Sequence, residues 1–151
     1  MKISKNLARV KAIAGMTVIA GTLTTSFSVA PANAQRVCQC TDYVANSLNL
    51  TRNYPNAGDW DNGYLDRNGF VRVSPRPGAI AVMERSFPGA NTTYGHVGII
   101  ERVKPDGRID LRGGHQTVGS SFFNEAGCSN VRITGFGTPV NRPGISFWVR
   151  R

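Results

Sequence analysis

Histidine, cysteine and acid are all scarce in this chain: two His, three Cys and nine Asp plus Glu, against eighteen Lys plus Arg, among 151 residues. So small a supply of ligands makes a metal centre hard to assemble. Cys38 and Cys40 stand one residue apart rather than at the Cys-x-x-Cys spacing of zinc sites, and the two histidines form no motif, so neither metal nor cofactor is expected. The basic residues are scattered, with no run of them and no nucleic-acid motif, so nucleic acid is not an expected partner. After Gln35 no apolar stretch approaches the roughly 20 residues that span a bilayer, and no stable membrane insertion is expected of that part. Internal repeats, low-complexity tracts and interdomain linkers are also missing there.

The chain opens with Lys2, Lys5, Arg9 and Lys11, then an apolar stretch from Ala12 to Ala30 broken by Thr and Ser, then Pro31-Ala32-Asn33-Ala34. A basic start, an apolar middle and a small-x-small end are the marks of an export signal, so residues 1–34 are expected to be a removable signal peptide and Gln35 the first mature residue. The expected location is secreted or periplasmic. The remaining 117 residues suffice for one domain with its own core, and with fourteen basic against nine acidic residues they carry a net +5. That modest positive charge suits an anionic partner without naming one.

All three cysteines lie in this second part. In an oxidising compartment an odd count suggests one bridge and one free thiol. Cys38 and Cys40 are too close to pair without strain, so the economical bridge is Cys38 with Cys128, leaving Cys40 free; counting alone does not fix the connectivity.

Tyr43, Val44 and Leu48 recur at helical spacing, predicting a short helix from Cys40 to about Leu50 that Asn53, Pro55 and Asn56 stop. The Gly- and Asn-rich stretch through Asp59-Trp60-Asp61-Asn62-Gly63 reads as loop. Strand signals then dominate: Phe70 to Val73, Ala79 to Met83, and His96 to Val103, the last followed by a Lys104-Pro105-Asp106-Gly107 turn into Arg108 to Arg112. Weaker strands are expected around Ser120 to Phe123, Val131 to Thr134 and Ile145 to Val149. One helix followed by antiparallel strands is an α+β layout with the helix packed on the sheet.

Cys40 falls at the expected helix start, where backbone N–H groups and the helix dipole lower a thiol pKa and could steady an oxyanion. His96 opens a strand immediately after Gly95. A thiol that hands its proton to an imidazole supplies both a nucleophile and an acid for a leaving amine. Asp42 and Tyr43 beside the thiol are candidates for substrate contact, although Tyr43 could equally be packed. Trp60 either lines a groove or caps the core. Phe122, Phe123, Phe147 and Trp148 read most simply as core. Asn91-Thr92-Thr93 is a formal glycosylation sequon without relevance in a bacterial host.

Cys38-Gln39-Cys40-Thr41-Asp42-Tyr43-Val44-Ala45-Asn46 resembles the opening signature of CHAP domains, the cysteine- and histidine-dependent amidohydrolases and peptidases of the papain-like NlpC/P60 group. In that signature the Cys before Thr is the nucleophile, and the match falls on Cys40. Asn56-Ala57-Gly58-Asp59-Trp60, Pro77-Gly78-Ala79-Ile80-Ala81-Val82-Met83 and Gly95-His96-Val97-Gly98-Ile99-Ile100-Glu101 are similar to the family's following blocks, the last carrying its catalytic histidine. The blocks come in order and, with Phe147-Trp148-Val149-Arg150, span nearly all of residues 35–151, which the resemblance makes one CHAP domain of papain-like, NlpC/P60-like fold.

Two departures stand out. The family's Gly before Gln is Cys38 here, as suits a structural bridge beside the nucleophile. On the strand after the histidine strand the family often places Glu and, two residues later, Asn; Gly113 and His115 fall there. Glu101 points away from His96 by strand alternation and is a poor orienter. If Lys104 pairs with Gly107, His96 lies opposite His115; if Gly107 takes a left-handed, bulged position, it lies opposite Gln116. Both stay open as the third member of the site.

The resemblance implies a cysteine peptidase or amidase that hydrolyses peptidoglycan through an acyl-thioenzyme, as a muramoyl-L-alanine amidase or a stem-peptide endopeptidase, with wall peptide as its substrate. No wall-binding repeat accompanies the domain. The alternative is a non-catalytic wall-binding module with a degenerate CHAP site, motivated by the missing Glu. A zinc site ranks last.

Overall fold

The structure is a computed structural model and describes residues 37–118, 121–122 and 127–151. The expected leader, residues 1–34, lies outside them, as does Phe123.

Helix α1 runs Cys40–Leu48 and buries Val44 and Ala45. It stops two residues earlier than its apolar spacing suggests, because Asn49 turns left-handed (φ 51°, ψ 51°) and its N–H caps the Ala45 carbonyl, a conformation Asn tolerates better than most residues. The last turn of α1 contains no basic residue. Arg150 supplies one from the far end of the chain, donating to the Leu48 carbonyl at 2.6 Å, where positive charge is favoured.

The stretch expected as loop folds instead into a 3-10 turn, Ala57–Asp59, and a short helix α2, Tyr64–Arg67. Polar and glycine residues hide the apolar signal, yet Trp60, Tyr64 and Leu65 are all buried. Trp60 packs between Tyr54 and Tyr64, with ring centroids 5.6 and 4.9 Å away, and its Nε1–H donates to the Pro55 carbonyl. Being fully enclosed, it is a core residue and cannot contact substrate, which corrects the groove-lining role also considered for it.

Six strands form one antiparallel sheet in the order β1-β8-β2-β3-β4-β7: β1 Phe70–Arg72, β2 Ile80–Met83, β3 His96–Val103, β4 Ile109–Arg112, β7 Ile133–Gly135 and β8 Ile145–Arg150. Two-residue strands β5 (Thr117–Val118) and β6 (Ser121–Phe122) pair separately. Side-chain alternation sorts the core into two layers. Ile80, Val82, Val97 and Trp148 pack with Val44, Ala45 and Trp60 on the helix side. Ala81, Met83, Ile100, Leu111 and Phe147 pack with Phe87 and Val140 on the other. The result is an α+β fold with the N-terminal helix on an antiparallel sheet. Among the described residues no helix is long and apolar enough to cross a membrane.

Two features of this sheet place the site. Gly95, just before β3, has φ 73°, and a Cβ there would lie 2.5 Å from the Gly58 Cα and the Met83 carbonyl. Glycine therefore allows the start of β3 to press against the 3-10 turn. A bulge at Glu101 then shifts the β3–β4 register, from Arg102 opposite Asp110 to Ile100 opposite Leu111. Beyond the sheet, Cys38 is bonded to Cys128 across 90 residues. The bridge lies against Gly114, where any Cβ would sit 2.4 Å from the Cys38 carbonyl and 2.9 Å from its sulfur.

Candidate active site

Cys40 is the first residue of α1 and the one free cysteine of three. The backbone N–H groups of Val97, Thr41 and Cys40 itself all favour its thiolate. These N–H groups lower the pKa as a helix start is expected to, but they do not set its net direction. Burial is the larger influence and pushes the thiol up, with the Asp42 carboxylate adding to it. At rest Cys40 is a thiol held beside N–H groups that would receive negative charge once it forms.

His96 opens β3 opposite Met83 and is buried. Burial lowers its pKa to about 4; a hydrogen bond to Gln116 opposes that and nearby His115 reinforces it. The ring is therefore neutral at pH 7. It stacks on Phe136, with ring centroids 6.2 Å apart and planes 21° from parallel.

Gln116 settles which ring nitrogen carries the proton. Its Nε2 donates toward the carbonyls of Gly113 (2.9 Å), Arg132 (3.0 Å) and Leu111 (3.2 Å). Reversing the amide would turn its oxygen against three carbonyls, so Oε1 must face His96, 3.4 Å from Nε2. Oε1 can only accept. His96 Nε2 is then the protonated nitrogen, and Nδ1 holds the lone pair that can take a proton.

The turn at Gly107 has the left-handed glycine (φ 77°) of the bulged geometry, with Gly107 N–H donating to the Lys104 carbonyl at 3.0 Å. On its own that would set Gln116 opposite His96. The bulge at Glu101 undoes the offset, but the ladder ends at the Ile99–Arg112 pair. Beyond it His115 turns left-handed (φ 56°), and Gln116 is the side chain hydrogen-bonded to His96. His115 lines the same cleft. Glu101 pairs with Arg112 at 2.5 Å, away from the imidazole.

Cys40, His96, His115 and Gln116 open on one cleft of about 780 Å³. Asp42 and Tyr43 are not among its lining: Asp42 accepts a hydrogen bond from the Tyr54 hydroxyl, and Tyr43 packs on the helix-side core. The opposite wall is the loop between β2 and β3, which is tied down at several points. Arg85 grips the Asp59 carboxylate at 2.5 and 2.8 Å and the Thr93 carbonyl at 2.8 Å. Asn91, read from sequence as part of a sequon, accepts through Oδ1 from the N–H groups of Thr93 and Tyr94, both at 2.9 Å. This pins Tyr94 at the mouth, 58 % exposed. Sequence reading missed Thr134 and Phe136 as residues of the cleft and Arg85 as the tie of its loop wall. A lone Arg, Thr or Phe carries no local pattern by which to find it.

A helix-start cysteine and a strand-start histidine on an antiparallel sheet, sharing one cleft, define a papain-like α+β domain. The CHAP domain model matches residues 30–115, more than half of the chain, and the chain belongs to the CHAP domain family. Over 76 residues it is 34% identical to an N-acetylmuramoyl-L-alanine amidase domain-containing protein of Staphylococcus aureus, a match covering 47% of this chain and 12% of that protein. The crystal structure of N-acetylmuramoyl-L-alanine amidase from Staphylococcus aureus shares the fold, with a TM-score of 0.54 at 23% identity over 75% of this chain and 30% of that one. This chain thus spans less than a third of the length of either relative.

Proposed function

We propose that residues 35–151 form an exported cysteine hydrolase that cleaves an amide bond of peptidoglycan, either the muramoyl-L-alanine bond or one within the stem peptide. The observation that carries this reading is the meeting of Cys40 and His96 on one cleft, with the Gln116 amide oxygen 3.4 Å from His96 Nε2. The amidase names of the two relatives support the substrate class. The leader pattern of residues 1–34 and the Cys38–Cys128 bridge support an extracytoplasmic location.

In this mechanism Cys40 Sγ gives its proton to His96 Nδ1 as it attacks the scissile carbonyl carbon. The tetrahedral oxyanion is steadied by N–H groups at the start of α1. The intermediate collapses as His96 passes the proton to the leaving nitrogen, and the C–N bond breaks to leave an S-acyl Cys40. Water, deprotonated by His96, then attacks the thioester, releasing the carboxylate and restoring the thiol. Gln116 keeps Nε2 protonated and so leaves the Nδ1 lone pair free to take a proton throughout, with His115 the other candidate for the third place. Burial disfavours charge on both Cys40 and His96 at rest, so this mechanism starts from the neutral thiol and imidazole.

That same burial favours one second reading, a wall-binding module that no longer turns over. One experiment separates the two: residues 35–151 and a Cys40→Ala version are incubated with purified peptidoglycan and the released fragments identified by mass spectrometry. Release by the unaltered protein alone, with new termini naming the bond, supports the hydrolase. Binding without release from several wall types, by folded protein with a reduced thiol, leaves the module.

A further inference from the structure

Strand β7 is an edge strand outside the region matched by the family model. Its side chains alternate outward, inward, outward, and the inward one, Thr134, is 4 % exposed. Its hydroxyl donates to Gln116 Oε1 at 3.1 Å, the same oxygen that faces His96 Nε2. We propose that Thr134 is a positioning residue of this site: its hydroxyl fixes the oxygen end of Gln116 and thereby the proton on His96 Nε2. The inference rests on the reading of His96 as the base.

The geometry of the amide explains why a second clamp is needed. Gln116 Nε2 has two hydrogens and three carbonyls within 3.2 Å, so several rotations about the last side-chain torsion keep both hydrogens satisfied. That torsion joins sp³ to sp² carbon and is intrinsically broad. The nitrogen end therefore fixes which way the amide faces without fixing where its oxygen lies. A carbonyl oxygen has two lone pairs. Thr134 occupies one, and the other is left directed at His96. Without the hydroxyl the oxygen can swing, its bond to Nε2–H weakens, and the competing tautomer, with Nδ1 protonated and useless as a base, gains population.

The test compares Thr134→Val, which keeps the shape and removes the donor, with Thr134→Ser, which keeps the donor. The His96 tautomer is read from long-range ¹H–¹⁵N NMR spectra at pH 7. The alkylation rate of Cys40, the one free thiol, reports the pair without any substrate, and peptidoglycan hydrolysis gives kcat and KM. Thr134→Val is expected to raise the Nδ1–H fraction and to slow alkylation and kcat together by roughly three- to tenfold, the worth of one net hydrogen bond, with KM unchanged. Thr134→Ser is expected to track the unaltered protein. If Thr134→Val proves unfolded, Thr134→Ala takes its place.

Unchanged tautomer and alkylation in the Val variant would overturn the inference, as would a Ser variant as impaired as Val. A tautomer shift with slowed alkylation in a protein that releases nothing from peptidoglycan upholds Thr134 while sinking the hydrolase reading. Cys40-dependent hydrolysis that Thr134→Val leaves untouched does the reverse.

Discussion

On the side of the cleft that holds the proposed nucleophile, Gln39, Cys40 and Thr41 follow one another at the start of α1. The base side instead gathers His96 from β3, Gln116 from beyond β4, Thr134 from β7 and Phe136 just after it. The contrast follows from what each group requires. A nucleophile needs N–H groups to receive negative charge, and a helix start supplies them within one turn. A buried imidazole needs one tautomer, and at this site the acceptor, its clamp and a stacked ring all come from other parts of the sheet. Apart from the Val97 N–H lent by β3, one side is local in sequence, and the other is tertiary.

Substituting His96 tests the base side most severely. General acid–base help is worth roughly 10²- to 10⁴-fold, so His96→Ala is expected to lower peptidoglycan hydrolysis about a thousandfold, measured as the initial rate of fragment release. Retention within tenfold would mean that the tertiary side contributes no proton transfer.

The two sides meet at the Cys38–Cys128 bridge. Cys38 lies two residues before Cys40, and its carbonyl and sulfur press on Gly114, two residues before Gln116. Closing a 90-residue separation constrains the unfolded chain, and replacing both cysteines by Ala is expected to cost about 4 kcal/mol of unfolding free energy, read by urea denaturation. If the bridge also holds the sides in register, activity of the still-folded variant falls as well. Full activity per folded molecule would confine it to stability.

Much of the local side is legible in the sequence. The helix from Cys40, strand His96–Val103 and the glycine turn at 107 all rest on signals within a few residues: apolar spacing, alternation and turn chemistry. What escaped was non-local. α2 hid because Asp61, Asn62 and Gly63 dilute the apolar pattern that Trp60, Tyr64 and Leu65 complete only by burial. The choice between His115 and Gln116 depended on two offsets, the glycine turn and the Glu101 bulge, and only the first has a sequence signal. The net direction of the thiol pKa also escaped, because a helix start is visible in sequence and the extent of burial is not.

Acid offers a gentler probe of the base side. An unfolded histidine takes up a proton near pH 6.5, whereas folded His96 does so only at about 4. Between those values the unfolded state binds more protons, so stability falls as pH drops from 6.5 toward 4, and this group adds no further loss below that. The loss is about 3 kcal/mol by linkage. Denaturation curves at pH 7 and pH 4 for the unaltered protein and His96→Gln isolate it: the variant is expected to lose that much less. Equal losses would mean that His96 is solvated and that the tertiary side is open to water.

The finest test sets neighbours against each other. Gln116→Ala removes the acceptor for His96 and leaves the Gly113, Arg132 and Leu111 carbonyls without their donor. Hydrolysis is expected to fall about thirtyfold, the worth of a buried hydrogen-bond partner removed from a group that still needs it. His115→Asn keeps a residue that tolerates the left-handed backbone at φ 56°, and is expected to slow the reaction only about threefold. A reversed order would hand the third place to His115. The base would then be oriented by the residue just before Gln116, and the acceptor would no longer depend on the network of carbonyls and Thr134 that holds Gln116.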